Sequence, residues 1–209
     1  LAPAAYALSK DDAKCRRIIG KFSHKLGITV IKESESCHKQ RMRGKIAAAT
    51  DCNLIAEMPG QAKVDKAADK LRNKTAKKCT GSPADLNYLA CTGPCSYITI
   101  SDYASVGDCI GCQTKGGGEE LATFINGTPV PVGTNNETSK CMNWIDKALR
   151  KYLKKHSSVE ERCQSSQDTG PTGLDCLADD AKGRIARARD RARAQNRKLF
   201  GCRGLAARY

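Results

Sequence analysis

The sequence predicts an all-α protein: two homologous, disulfide-stapled antiparallel helical hairpins with a small cysteine-stapled helical insert between them. Three observations lead to this fold class. The 209 residues include 12 cysteines, well above ordinary usage for a cytosolic chain. The cysteine spacing at the start of the chain recurs at its end. The apolar residues of both ends follow the period of an α-helix.

The repeat is clearest in the cysteines. The first four are 22, 15 and 27 residues apart, and the last four are 22, 13 and 26 residues apart. The pattern Lys-Cys-x3-Ile-x-Lys at 14–21 also recurs at 140–147, and Asp51-Cys52 recurs as Asp175-Cys176. These matches predict three segments, which are a first hairpin module at 1–80, an insert and linker at 81–136, and a second hairpin module at 137–209.

Each module is interpreted as two helices joined by a turn. In the first module, Ser9 and Asp12 form a capping box at the start of a helix that extends to Cys37. Pro59-Gly60 breaks the chain before a second helix, which ends near Cys79.

The second module follows the same plan. A long helix begins near Cys141, Gly170-Pro171 breaks the chain, and a helix ending near Cys202 follows. Trp144, one turn after Cys141, is expected to pack in the core against a disulfide. The first module differs in one respect. Gly27 and the β-branched residues after it have poor helix propensity and predict a local kink.

Hairpin geometry predicts which cysteines bond within the modules. Facing positions of two antiparallel helices have residue numbers with a nearly constant sum. Pairing the outer and the inner cysteines gives sums of 94 and 89 in the first module and 343 and 339 in the second. The predicted nested disulfides are Cys15–Cys79, Cys37–Cys52, Cys141–Cys202 and Cys163–Cys176.

The insert has four further cysteines, spaced C-x3-C, 13 residues, C-x2-C. Four thiolates at such spacings could bind a zinc ion. The eight other cysteines indicate an oxidising compartment and favour disulfides instead. The same sum rule pairs Cys91 with Cys112 and Cys95 with Cys109.

Two short helices are predicted in the insert. Ser82 is an N-cap residue and Pro83 suits the first helical position, so one helix leads from here to Cys91. The other spans 119–125 and follows three glycines at 116–118. The glycines are interpreted as a hinge, because no Gly-Lys-Ser/Thr follows them as in a phosphate-binding loop.

The formal net charge of +14 is unevenly distributed. Residues 1–80 contribute +10, residues 81–139 contribute −5 and residues 140–209 contribute +9. The basic residues of the last helix have two interpretations: a solvated face partly neutralised by the acidic insert, or a docking surface for an acidic partner. The residues assigned to docking are Arg184, Arg187, Arg191, Arg193, Arg197 and Lys198.

Several functional classes are disfavoured. No apolar run approaches the roughly 18 residues of a membrane span. The three histidines form no H-E-x-x-H, and no G-x-S-x-G is present. We therefore predict that the protein is not an enzyme and has no cofactor, metal ion or catalytic residue. Because the first residue is leucine, a mature chain after removal of a signal peptide is expected, located outside the cell or in a periplasm.

The motifs Lys-Cys-x3-Ile-x-Lys, Asp-Cys after the first helix, and C-x3-C followed by Asp-Cys-x-x-Cys carry a resemblance. With them the chain resembles cysteine-rich exported proteins of deltaproteobacterial type, over most of its length from Lys14 to Cys202. The resemblance implies export and a disulfide-stapled helical architecture. No activity and no functional residue is carried over from it.

The predicted function is that of an exported structural or adaptor protein. Its cationic helices are expected to dock onto an acidic extracellular or periplasmic assembly, such as a filament, a cytochrome complex or a polysaccharide. The alternative is a secreted protein that binds nucleic acid or an anionic glycan through the same charges. The absence of aromatic residues interleaved with the basic ones argues against nucleic acid.

Overall fold

The computed structural model describes residues 8–127, 136–170 and 182–197, together with Cys176 and Asp180. This part of the chain contains five α-helices and no β-strand, which confirms the all-α class. None of the described helices is both long enough and apolar enough to span a membrane. The helices are α1 (Lys10–Met42), α2 (Gln61–Lys78), α3 (Tyr103–Asn126), α4 (Asn136–Thr169) and α5 (Arg184–Arg197).

The first helix begins where its capping residues predict. The Ser9 hydroxyl accepts a hydrogen bond from the Asp12 backbone N–H at 3.1 Å, and two acidic residues follow in the first turn. α1 then continues as helix past Gly27, where the sequence predicts a kink. Val30 and Ile31 are buried just beyond it, so the packing of this face outweighs their weak helix propensity.

α1 and α2 form the first hairpin. Its disulfides are Cys15–Cys79 and Cys37–Cys52, the pairs that the residue-number sums select. Between them the two helices bury a common core that includes Leu26, Val30, Val64 and Leu71. All four of these side chains have no solvent exposure. A second cluster surrounds the Cys15–Cys79 disulfide, where α3 adds Tyr103 and Val106.

The triple glycine lies inside α3, so the predicted hinge is wrong. A Cβ on Gly116 or Gly117 would meet no atom within 4 Å, whereas a Cβ on Gly118 would lie 2.5 Å from Cγ1 of Val30. α3 packs against both α1 and α2. The helix thus tolerates these glycines because tertiary contacts hold it, and Gly118 permits the close approach to α1.

The insert disulfides differ from the prediction. The structure joins Cys91 to Cys109 and Cys95 to Cys112, with separations of 18 and 17 residues. Because the residue numbers of the bonded cysteines differ by nearly the same amount in both pairs, the two cysteine segments run in the same direction. The rule of constant residue-number sums applies only to antiparallel segments. Residues 96–102 connect the two segments, and the pairing requires the chain to turn back over this stretch before α3 begins. With these bonds formed, the four thiolates of the alternative zinc site are not present.

The predicted helix from Ser82 to Cys91 is also shorter than expected. A 3₁₀ turn at Pro83–Leu86 ends at Asn87, whose φ of 62° places it in the left-handed region. Ser82 caps this turn as predicted, with its hydroxyl accepting from the Ala84 N–H at 3.3 Å. The left-handed residue reverses the chain direction and stops helix propagation.

α4 and α5 form the second hairpin. Cys163 is bonded to Cys176 as predicted, and Cys141 is disulfide-bonded, whereas Cys202 lies outside the described residues. Trp144 is 43% exposed, so the expectation of core packing is wrong. The homology of the two modules stays a prediction.

The two hairpins meet where α1 packs against α4. Arg16 contacts Asp168 at 3.0 Å, and Glu35 contacts Arg150 at 3.0 Å. The two pairs have nearly equal residue-number sums, so α1 and α4 are antiparallel. Because α3 also packs on α1, the insert and both hairpins adjoin this one helix.

Gly107 provides a test of the α2–α3 contact. A Cβ at this position would lie 2.6 Å from the Cα of Arg72, which is backbone and cannot rotate away. We expect Gly107→Ala to lower the free energy of unfolding by about 2 kcal/mol. Gly117→Ala is the matched control, since its methyl group would enter open space and should raise stability by roughly 0.5–1 kcal/mol. Urea unfolding of both variants measures this, and equal effects would contradict the contact.

Candidate functional site

The basic helix α5 is anchored at its N-terminus by an acidic residue. Asp180 accepts hydrogen bonds from the backbone N–H groups of Arg184 and Ala186, at 2.6 and 2.8 Å. This arrangement satisfies two N–H groups that a helix start leaves unpaired, and it places a negative charge at the positive end of the helix dipole. Alanines at 188 and 192 then line the side that faces α4.

A trough of about 690 Å³ lies between α4 and α5, and we call it the α4–α5 trough. Among the residues that the structure describes, its lining contains six basic residues and no acidic residue. Alanines and Tyr152 complete the lining. The six basic residues are Lys151, Lys155, Arg162, Arg184, Arg187 and Arg191.

The cations of this trough lack acidic partners within the chain segments that the structure describes. Arg187 donates to the backbone carbonyl of Lys182, and the other five form no ion pair within 4.0 Å there. Like charges held close together repel one another, and a bound anion would relieve this repulsion. The trough is therefore suited to bind a polyanion.

The structure brings together three of the predicted docking residues. Arg184, Arg187 and Arg191 line the trough, while Arg193 is exposed but is not part of the lining. The side chain of Arg197 and all of Lys198 lie outside the described residues.

Sequence reasoning missed the three α4 residues of the trough. Lys151 and Lys155 are four residues apart and Arg162 lies seven further on, which places them along one helix face. That spacing is a usable signal. The spacing identifies these residues as part of the site only once α4 is known to pack against α5.

The described part of the acidic insert packs away from α5. α5 packs against α4, whereas the insert helix α3 packs against α1 and α2. The ion pairs of Asp65 and Asp108 are made with Lys115 and Arg72, all on α2 and α3. Within the described residues, neutralisation of the basic helix by the insert is therefore not observed.

No histidine is among the described lining residues of this trough, although the His156 ring lies 5.6 Å from that of Tyr152. His38 is fully buried, and its Nε2 donates to the Asn53 side-chain oxygen at 3.1 Å. Burial lowers its pKa to about 4, against the opposing effect of that hydrogen bond. His24 is partly buried, which lowers its pKa, and His156 contacts Glu160 at 3.1 Å. Across the described residues, no group of three potential metal ligands comes together.

Two acidic residues meet in the α1–α4 interface, the buried Asp146 and the partly exposed Glu35. Asp146 is 4% exposed, and its neighbours are Glu35 and Arg150. Burial raises the pKa of Asp146 to about 7, the Glu35 carboxylate adds to the shift, and Arg150 opposes it. One oxygen of Asp146 has no hydrogen-bond partner in the described part of the chain. We regard this cluster as a determinant of stability, because Asp146 at its centre is buried.

No family model, no curated protein and no solved structure matches the chain.

Proposed function

We propose that the protein is an exported, non-catalytic structural or adaptor protein that docks through its cationic helices onto an acidic extracellular or periplasmic assembly. The observation that carries the proposal is the α4–α5 trough, in which six basic side chains converge and the described part of the lining contributes no acidic one. A concave surface of one charge sign concentrates field lines and accelerates the capture of oppositely charged partners.

Two further features support this function. Five disulfides, formed among the described cysteines, fit an oxidising compartment and would keep a docking surface rigid outside the cell. The trough is preformed between packed helices, so binding requires little ordering of the backbone. The trough is rigid and charged, and alanines make up most of its apolar lining. Such a surface suits docking better than it suits the enclosure of a small substrate.

Removal of the α5 arginines tests the proposal. We expect Arg184→Gln/Arg187→Gln/Arg191→Gln to weaken binding to immobilised polygalacturonate, a polyanionic probe, at least ~10-fold at low salt. The reason is the loss of three converging charges. Surface plasmon resonance at two salt concentrations measures this, and wild-type affinity should fall steeply as salt rises.

A matched variant separates the trough from net charge. Lys70→Gln/Lys77→Gln/Lys78→Gln removes three exposed charges from α2, on the first hairpin. It should retain most of the wild-type affinity. Equal losses in both variants would show that only net charge matters, and absence of binding by the wild-type protein at low salt would reject the proposal.

A further inference from the structure

A second basic trough lies on the other side of α4, between α1 and α4. It has a volume of about 710 Å³, and we call it the α1–α4 trough. Glu161 is the acidic residue in its lining. Its basic residues are Arg17, Lys21, Lys25, Lys151, Lys154 and Lys155.

The two troughs share Lys151 and Lys155, so they meet along one ridge of α4. Arg17, Lys21 and Lys25 are exposed and recur every four residues on α1, which gives a row about 12 Å long. Packed helices lie about 8–10 Å apart, and the charged surface therefore extends across three helices over about 20 Å. The charged surface thus combines residues of α1 in the first hairpin with residues of α4 and α5 in the second.

The lining of the surface indicates what it can bind. An amphipathic helix would need pockets for several large apolar anchors. Beside its charges, the described lining of the α4–α5 trough has three alanines and Tyr152, and that of the α1–α4 trough has Ile18 as its one large aliphatic side chain. A nucleic-acid strand would be expected to stack its bases on several aromatic rings, whereas each trough has a single aromatic side chain among its described lining residues, Tyr152 in the α4–α5 trough and His24 in the α1–α4 trough. A hydrophilic linear polyanion needs neither feature.

From this geometry we infer that the two troughs form one continuous site for a linear anionic polysaccharide, with Lys151 and Lys155 at its centre. The inference rests on the proposed function and adds to it a ligand class and an extended site. A flexible polymer can cross the α4 ridge and contact both rows, whereas a short oligosaccharide can occupy only one trough. Affinity should therefore depend on ligand length.

The test compares the binding of polygalacturonate and of trigalacturonate by the variant Arg17→Gln/Lys21→Gln/Lys25→Gln. We expect this α1 variant to bind the polymer about 10-fold more weakly than wild type, because one of two linked contact regions is lost. Its affinity for the trisaccharide should change less than about twofold, since the α4–α5 trough remains intact. The α2 variant with Lys70, Lys77 and Lys78 replaced by glutamine is the charge-matched control.

The outcomes separate the two proposals. An α1 variant that binds the polymer as well as the α2 control does would overturn the continuous site and leave docking through α5 standing. Absence of polymer binding by the wild-type protein would overturn both. Tighter binding of single-stranded DNA or of polyglutamate than of polygalacturonate at the same salt would overturn the polysaccharide assignment alone. Circular dichroism confirms that each variant keeps its helices.

Discussion

Replacement of Asp146 by asparagine is expected to raise the free energy of unfolding at pH 8 by about 2–3 kcal/mol. In the folded protein the pKa of this carboxyl group is about 7, because it is buried and faces Glu35. In the unfolded chain its pKa returns to about 3.9. A difference of about three pH units corresponds to roughly 4 kcal/mol above pH 7, from which the desolvation of a buried amide must be subtracted.

The direction of the effect follows from proton binding. Between about pH 4 and pH 7 the folded protein keeps the Asp146 proton, whereas the unfolded chain has released it. The unfolded state then binds fewer protons, so this group lowers stability as the pH rises through that range. Above pH 7 the penalty is complete. Asp146→Asn removes this entire pH dependence.

His38 opposes this trend. Its pKa is about 4 in the folded protein and about 6.5 in the unfolded chain, so stability from this group is lost as the pH falls from about 6.5 to 4. Wild type should therefore show a nearly flat profile between pH 5 and 8, because the two groups compensate. Asp146→Asn should gain stability from pH 5 to about pH 6.5, whereas His38→Gln should lose stability from pH 5 to about pH 7.

Urea unfolding at pH 5, 6, 7 and 8 measures these profiles. Asp69→Asn, which removes a carboxylate on the outer side of α2, serves as the control and should follow the wild-type profile. Parallel profiles for wild type and Asp146→Asn would contradict the assignment of this carboxyl group as a buried, titrating acid.

The double variant Cys15→Ala/Cys79→Ala is expected to lose about 4 kcal/mol of stability. This disulfide joins residues 64 positions apart, and its loss frees a long loop in the unfolded chain. The Cys37–Cys52 bond closes only 15 residues, so the corresponding alanine pair should lose about 3 kcal/mol on the same account. All four cysteines are buried, which makes the two variants comparable in packing.

Guanidinium unfolding without reductant distinguishes the two disulfide variants. The m-value should rise in both, and more in the variant with the longer freed loop, because its unfolded chain exposes more surface. A loss below about 1 kcal/mol for the Cys15–Cys79 pair would indicate that this bond does not constrain the unfolded chain as expected.

The hairpins were predictable because their determinants are local or follow a simple geometric rule. Ser9 begins α1 through its own side chain, and an antiparallel turn pairs Cys37 with Cys52 and Cys163 with Cys176. The insert was not predictable in the same way. Its cysteine segments run in parallel because of the return over 96–102, and no local pattern encodes that direction.

The candidate site also has one part that is predictable from the sequence and another part that is not. The basic residues of α5 are visible in the sequence, and three of them line the α4–α5 trough. Lys151 and Lys155 lie on a different helix, and their contribution depends on α5 and α1 packing on either side of α4.

By itself the sequence determined the all-α class, the hairpin disulfides that the structure describes and the separation of basic ends from an acidic centre. Helical period, caps and turns operate over a few residues, and charge is a property of composition. Only the tertiary structure decided that Gly118 contacts Val30, that Asp146 is buried beside Glu35, and which charges converge. These outcomes depend on contacts between residues about 30 to 130 positions apart, which packing selects and local propensity does not.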